Sequence, residues 1–266
     1  MPFTPSHAVV ALPFIRTPLP TAALAVGAMA PDLPLFVRAF PERYEMTHSY
    51  AWMPVTVLVA LGLLLVWRCV LRPATRELAP GWIAARLPGE WDAGAAEGLR
   101  GVFARQEGSR SSVGGALLVL VALALGVASH IAWDSFTHEG RWGMTEFDLA
   151  VMWGPLPAYK WLQYGSGVIG LVILAVWAAL RLRRTRPAPL RRVLPAWMRR
   201  TWWVALPALL AAAWVVGLVH WGPFTADYTP QHLAYRVLPV ASAVWAGLGI
   251  LLALTVPVAR IRVRVR

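Results

Sequence analysis

The stretch from Ser129 to His138 holds three side chains of the kinds that bind metal ions or transfer protons. His130, Asp134 and His138 are spaced four residues apart, so they share one face of a helix for as long as the helix continues. Neutral imidazoles and a carboxylate on one face suit zinc or another first-row divalent ion. The structural alternative is that His130 and Asp134 bond each other and satisfy the end of a helix.

Three further side chains near the N-terminus have the same chemistry. Asp32 follows the apolar stretch 22–30, where a carboxylate is costly to bury unless it is paired or bound to a metal. His48 precedes a long apolar run, and His7 lies at the start of the chain. Each has an ordinary alternative: Asp32 as a helix cap or turn residue, His48 as an interfacial histidine, and His7 as a first-turn residue.

The apolar runs that must position these side chains predict an all-α protein that crosses a membrane several times. Of the 266 residues, 58% are hydrophobic and 14% are charged, whereas a soluble domain has about a quarter of its residues charged. A stretch of about 20 apolar residues spans a bilayer as a helix. We predict a polytopic membrane helical bundle, one integral membrane domain over residues 1–266, with transmembrane helices at 50–71, 113–134, 164–182, 202–221 and 237–259.

The N-terminal segment 1–49 predicts a different element. Its two apolar stretches are interrupted by prolines, and the shorter is too short to cross, since eight helical residues cover only about 12 Å. We predict a re-entrant helical hairpin that turns at residues 17–20, because broken backbone at membrane depth is tolerated where protein packs around it. The alternative is one ordinary span over 19–37, which would leave His7 in the cytoplasm.

The arginines predict the orientation of the chain. The polar loop 73–112, the loop 183–200 and the C-terminal tail are rich in arginine, and all three fall on one side of a five-span topology. The positive-inside rule makes that side cytoplasmic, which places the histidines toward the outer face of what we expect to be a bacterial plasma membrane. These loops also account for the net charge of +12 without nucleic-acid binding, because no basic stripe with interleaved aromatics is present.

Two further features limit the chemistry of the chain. Cys69 is the only cysteine, which excludes an internal disulfide and a thiolate metal cluster. Any metal site must therefore use imidazole and carboxylate ligands. The N-terminus is not expected to be a signal peptide, because no positive charge precedes Arg16.

The order of these candidate ligands resembles that of zinc-dependent phospholipase C and the single-strand-specific zinc nucleases. The chain more closely resembles bacterial membrane-bound proteins described as metal-dependent hydrolases or as having unknown function. The resemblance covers the first 60 residues and about residues 125–145. Its motifs are Ser6-His7, Met29-Ala30-Pro31-Asp32, Thr47-His48-Ser49 and His130-x-x-Trp133-Asp134-x-x-Thr137-His138.

The resemblance implies a first metal ion, zinc or alternatively manganese or iron, held by Asp32, His48, His130 and Asp134. It implies a second ion held by His7 with Asp134 as a bridge, and it makes His138 the start of a third site. The soluble relatives place a further histidine and carboxylate after the position of His138, and this chain does not match them there.

Two adjacent metal ions would define the reaction class. A metal ion lowers the pKa of bound water toward neutrality, and a pair can clamp the attacking and leaving oxygens of a phosphoester. Asp32 is the candidate general base, and Arg141 and Lys160 are candidate phosphate-binding residues in the same outer loop. A site at a membrane surface predicts a lipid or other amphiphilic substrate. We therefore expect a membrane-embedded, metal-dependent hydrolase of a phosphate- or diphosphate-containing lipid.

Two other functions use the same residues. One is a metal-dependent transferase or lyase acting on a lipid or isoprenoid diphosphate. The other is a metal-binding membrane or transport protein without catalysis. A transporter is expected to place polar residues along several of its spans, and the last three predicted spans contain almost none.

Overall fold

The computed structural model describes residues 4–37, 43–104 and 110–264, and these residues are mostly helical. The α-helices are, in chain order, α1 (Thr21–Met29), α2 (Leu33–Phe36), α3 (Arg43–Thr47), α4 (Met53–Val66), α5 (Arg72–Leu78), α6 (Gly81–Ala84), α7 (Ala95–Val102), α8 (Val113–Thr137), α9 (Trp142–Glu146), α10 (Ala158–Arg184), α11 (Ala196–Trp221) and α12 (Pro230–Arg264).

Other hydrogen-bonded segments connect these helices. The 3-10 helices are Thr4–Phe14, Ala30–Asp32, Tyr50–Trp52 and Gly89–Asp92. A π-helical segment, Trp67–Leu71, joins α4 to α5. Two short antiparallel strands, β1 (Met152–Trp153) and β2 (Leu156–Pro157), precede α10.

Five helical stretches are long and apolar enough to cross a membrane, as expected for a helical membrane protein. They are Tyr50–Leu78, Val113–Thr137, Ala158–Arg184, Ala196–Trp221 and Pro230–Val256.

Each stretch overlaps one predicted span, but several begin earlier or end later than predicted. Backbone hydrogen bonds continue through terminal turns rich in Trp, Tyr and Arg, where the apolar signal has already fallen. Helix α10, for example, starts at Ala158 rather than at residue 164.

The described chain divides into two compact units, and the first contains all six candidate ligands. It comprises Met1–Pro34, Phe40–Val66 and Ala96–Arg186. Within it, α1 packs against α8, and α4 packs against both. The 3-10 helix Thr4–Phe14 packs against α1 and α10.

Glycines allow α1 and α8 to approach closely. A Cβ added to Gly126 of α8 would lie 2.3 Å from the carbonyl oxygen of Leu24, and one added to Gly27 of α1 would lie 2.4 Å from that of Leu123. The two backbones are therefore in direct contact here. This contact lies one helical turn before His130 in α8 and shortly before Asp32 after α1.

The six residues between the first 3-10 helix and α1 contain the segment predicted to turn. The Thr17 hydroxyl donates to the Phe14 carbonyl and accepts from the Leu19 N–H, and Pro20 is the N-cap of α1. Proline suits the start of a helix because the N–H that it lacks would have no helical acceptor there. The placement of this helix pair relative to a membrane remains a prediction.

The second unit comprises Leu35–Ala39, Trp67–Ala95 and Pro187–Arg266. Helices α5, α11 and α12 pack together in it, around an apolar cluster formed by Ala74, Leu78, Leu194, Ala253 and Val256.

Two acidic side chains of the second unit are paired within it. The buried Glu77 accepts hydrogen bonds from the backbone N–H groups of Val193 and Leu194. Asp92 pairs with Arg76 and Arg260. The region 73–112, predicted as a polar loop, thus includes most of α5 together with α6 and α7, and α5 contributes to the apolar cluster.

Candidate metal centre

Three elements of the first unit bring four buried side chains together. Each side chain offers one ligand atom, and these atoms all lie within 4.8 Å of one another. One residue ends the 3-10 helix after α1, one follows α3, and two are a turn apart on α8. They are Asp32, His48, His130 and Asp134.

Backbone carbonyls fix how the two imidazoles face this cluster. His48 Nδ1 lies 2.8 Å from the carbonyl oxygen of Tyr44, and His130 Nδ1 lies 2.7 Å from that of Ala28. A carbonyl only accepts, so each Nδ1 must carry a proton and donate it. In the neutral ring, each Nε2 therefore presents its lone pair to the cluster, as in histidines oriented for metal binding.

Five of the six distances among the four atoms are close to those between ligands around one ion. The Nε2 atoms of His48 and His130 are 3.1 Å apart. Asp134 Oδ2 lies 3.4 Å from the first and 3.3 Å from the second. Asp32 Oδ1 lies 3.6 Å and 3.7 Å from the same two nitrogens. Tetrahedral zinc with ligands at about 2.0–2.1 Å separates neighbouring ligand atoms by about 3.3 Å.

The unmatched polar atoms also indicate a cation. Asp134 Oδ2 is buried without a hydrogen-bond partner in the described part of the chain, although buried polar atoms are nearly always paired. Burial lowers the pKa of His48, but the nearby carboxylates of Asp134 and Asp32 outweigh it and raise this pKa to about 9. The cluster thus attracts a positive charge, and a proton on His48 supplies one when no metal ion is bound.

Asp32 is held by contacts on both of its oxygens. Oδ1 faces the two histidines, and Oδ2 accepts a hydrogen bond of 2.6 Å from the Thr4 hydroxyl. Burial opposes the charged form, but contacts with His48, His130 and Thr4 lower the pKa of the Asp32 carboxyl overall. A carboxylate that stays charged is well suited to be a metal ligand.

His7 lies on the other side of Asp134. Its Nε2 is 3.6 Å from Asp134 Oδ1, and its ring stacks on that of His130 with centroids 4.0 Å apart. Burial, followed by the nearby His130, lowers the pKa of His7 to about 4. The imidazole is therefore neutral at pH 7, and its buried Nε2 has no hydrogen-bond partner among the described residues.

His138 borders the cluster but is not one of the four converging residues. Helix α8 ends at Thr137, and His138 is its C-cap in an extended conformation. Its Nδ1 is 3.4 Å from Asp134 Oδ2, and its Nε2 is 3.2 Å from the side-chain nitrogen of Gln163. The ammonium of Lys160 donates to the side-chain oxygen of Gln163 at 3.1 Å.

A cavity of about 370 Å³ opens beside the cluster. His48 and Asp134 form part of its wall, together with Tyr50, Trp142 and Arg141. The Arg141 guanidinium donates to the carboxylate of Glu45 at 2.8 Å, and Glu45 is largely exposed. Lys160, the other predicted phosphate-binding residue, lies instead against Gln163.

Several groups that hold the cluster have no clear signature in the sequence. Every residue has a backbone carbonyl, so nothing in the sequence distinguishes those of Ala28 and Tyr44. Thr4 is likewise not distinguished from other threonines by its neighbours. Gln163 did leave a signal, because it is a polar residue directly before the predicted span at 164. The two other histidines, His220 and His232, belong to the second unit.

The fold and the cluster together define a helical protein with five candidate membrane spans and a buried site that could hold a metal ion. The chain belongs to the family described as a domain of unknown function, DUF4184, which it matches over residues 1–258. No curated protein and no solved structure shows a significant match. The family description gives no activity.

Proposed function

We propose that the protein is a membrane-embedded, metal-dependent hydrolase of phosphate- or diphosphate-containing lipids. The observation that carries this proposal is the ligand geometry of the cluster, in which two available Nε2 lone pairs and two carboxylates are spaced as around one ion. Imidazole and carboxylate ligands suit zinc, with manganese and iron as alternatives.

The two oxygens of Asp134 support a second ion. Oδ2 faces His48 and His130, whereas Oδ1 faces the unpartnered Nε2 of His7. A carboxylate in this position can bridge two ions. The neutral state of His7 favours the same role, because a metal ligand must offer a lone pair.

The cavity supports a substrate that combines a phosphate with an apolar part. Arg141 brings a guanidinium to the wall, while Tyr50, Ile131 and Trp142 supply apolar and aromatic surface. A guanidinium can bind phosphate oxygens in a bidentate manner. Its present partner Glu45 is a surface carboxylate, and such pairs contribute only about 0–1 kcal/mol, so a phosphate can replace it.

Hydrolysis of a phosphoester adds one water molecule, forms a phosphorus–oxygen bond to it and releases the alcohol. Divalent ions, when bound, supply the acidity that activates water and the positive charge that stabilises the phosphoryl oxygens. The chain's own residues orient the reacting group: Arg141 would hold the phosphate and Trp142 the apolar part. The lowered pKa of Asp32 favours a role as ligand over its predicted role as general base.

The proposed placement in the membrane follows the arginine distribution. The arginine-rich loops and the C-terminus would lie in the cytoplasm of a bacterial plasma membrane, with the metal centre toward the outer face. The helix pair formed by Thr4–Phe14 and α1 would enter and leave the membrane on that outer side. A site in this position can receive a lipid directly from the outer leaflet.

A lipid panel tests the proposed activity. The purified, zinc-loaded protein should release phosphate, diphosphate or a phosphorylated headgroup from at least one phospholipid or isoprenoid phosphate in mixed micelles. Chelator should abolish the release and added zinc should restore it. His130→Ala should reduce the rate at least a hundredfold, because it removes a metal ligand, whereas His232→Ala is a matched control outside the site and should not reduce it.

The outcomes separate the hydrolase from its alternatives. Metal-bound protein that releases nothing from any lipid contradicts the hydrolase. If that protein transfers the lipid group to an acceptor other than water, the transferase or lyase is favoured. If it binds metal and leaves every lipid intact, the non-catalytic metal-binding protein is favoured.

A further inference from the structure

The side chain of Gln163 is buried, with 1% of the residue exposed, although it lies in a helix that is otherwise largely apolar. Its two polar atoms contact two different groups. Oε1 accepts from Lys160 Nζ at 3.1 Å, and Nε2 lies 3.2 Å from Nε2 of His138. The result is a continuous polar chain from Lys160 through Gln163 and His138 to Asp134.

Hydrogen-bonding capacity fixes the direction of this chain. The Lys160 ammonium has only donors, so the atom of Gln163 that it contacts must be the oxygen. The amide nitrogen of Gln163, also only a donor, then faces His138. His138 Nε2 must accept this hydrogen bond, so it carries no proton and its lone pair is occupied.

The other nitrogen of His138 lies among oxygens. Nδ1 is 3.4 Å from Asp134 Oδ2, 3.3 Å from the Asp134 carbonyl oxygen and 3.2 Å from the Thr137 hydroxyl. A nitrogen near a carboxylate and a carbonyl gains from donating. The surroundings of both nitrogens therefore favour the same tautomer, with the proton on Nδ1.

We propose that Lys160 and Gln163 hold His138 as the Nδ1–H tautomer, which makes His138 a positioning residue for Asp134 and not a metal ligand. In this form neither nitrogen has a free lone pair for a metal ion. The Nδ1–H instead lies among the oxygens of Asp134, 3.3 Å from its carbonyl oxygen and 3.4 Å from the carboxylate that faces both His48 and His7. Lys160 then acts inside the protein and does not bind the phosphate of a substrate. This assignment rests on the proposed metal centre, because it gives His138 the task of orienting one of its ligands.

Histidine-selective 15N NMR of the metal-free protein tests the tautomer directly. The His138 signals are identified by their loss in His138→Ala. In the wild type we expect a protonated Nδ1 and an unprotonated Nε2. Gln163→Glu keeps a partner for Lys160 but offers His138 only acceptors, so Nε2 should become protonated.

Two further variants keep the NMR test decisive. Lys160→Met removes the group that orients the amide, and it should produce a mixture of His138 tautomers even if Gln163→Glu fails to fold. Trp161→Phe is the control on the same helix, because the Trp161 indole donates to the Trp153 carbonyl and takes no part in the polar chain from Lys160 to Asp134. This variant should leave the His138 signals unchanged. A proton on Nε2 of His138 in the wild type would overturn the proposal. So would His138 signals that stay unchanged in both Gln163→Glu and Lys160→Met.

A zinc titration distinguishes a positioning residue from a ligand. His138→Ala should weaken zinc binding by about tenfold to a hundredfold, as for other groups that orient a ligand, but the number of ions bound at saturation should stay that of the wild type. A lower number would overturn the positioning role. Because the tautomer is measured without metal and without substrate, failure of the proposed hydrolase would leave the NMR result interpretable.

Discussion

The candidate metal centre depends on groups that orient the four side chains as much as on those side chains themselves. The Ala28 and Tyr44 carbonyls hold His130 and His48 with their Nε2 atoms toward the cluster, and the Thr4 hydroxyl holds Asp32. Such fixed ligands lose little conformational freedom when an ion binds. The affinity for metal should therefore be sensitive to changes in these supporting groups.

Removal of the Thr4 hydroxyl tests this dependence. Thr4→Val keeps the shape of the side chain but leaves Asp32 Oδ2 without its hydrogen bond of 2.6 Å. We expect zinc affinity, measured by competition with a chromophoric chelator, to fall about tenfold. Thr17→Val is the control, because Thr17 bonds only to its own turn. Equal affinity in Thr4→Val and the wild type would contradict a supporting role for Thr4.

The residue types of the site were predictable, and their partners were not. Asp32, His130 and Asp134 stand out in the sequence because each is costly to bury beside an apolar run. The contacts of Thr4 with Asp32 and of the Ala28 carbonyl with His130 join segments 28 and 102 residues apart, and no local pattern encodes them. How His138 contacts Asp134 depends on the residue at which α8 ends. The four-residue spacing alone does not predict that residue.

At the scale of elements, the crossing of α1 and α8 sets the geometry of the cluster. The backbones touch at Gly27 and Gly126, and the next turns of the same segments supply Asp32 and His130. The spans were predictable because long apolar runs have few alternatives to a membrane helix. The close crossing was not, because glycine also occurs in such runs where nothing packs against it, as at Gly62.

A methyl group at this crossing should separate the helices. In Gly126→Ala the new Cβ meets the Leu24 carbonyl at 2.3 Å, and overpacking of this kind costs about 1–3 kcal/mol. We expect a lower midpoint of thermal unfolding in detergent and a loss of bound zinc. Gly62→Ala is the matched control in α4, where a Cβ meets nothing within 4 Å. Gly62→Ala should be neutral or stabilise the protein by up to about 1 kcal/mol. A similar loss of thermal stability and bound zinc in both variants would contradict the account.

At the scale of the whole molecule, the five apolar helices of the described residues and three arginine-rich segments predict one orientation by the positive-inside rule. The placement of the metal centre toward the outer face depends on this orientation. It also depends on the N-terminal helix pair returning to the side from which it enters. Both requirements can be examined by labelling.

Cysteine labelling in intact cells tests the orientation. In a Cys69→Ser background, a membrane-impermeant maleimide should label Glu146→Cys from outside and should label Ala188→Cys only after the membrane is permeabilised. The three residues to be replaced by cysteine, Glu146, Ala188 and Pro5, are all exposed in the structure. Pro5→Cys should behave like Glu146→Cys if the N-terminal pair is re-entrant, and labelling of Pro5→Cys only after permeabilisation would favour the single span over 19–37.

The most direct test of the central claim is the metal content of the purified protein. After growth with zinc and removal of loosely bound metal, elemental analysis should find one or two zinc ions per wild-type chain. His130→Ala and Asp134→Ala should lose them, because each removes one of the four converging ligand atoms, while the exposed His232→Ala should retain them. A wild-type chain that holds no divalent metal, or a His130→Ala variant that keeps the full complement, would contradict the account.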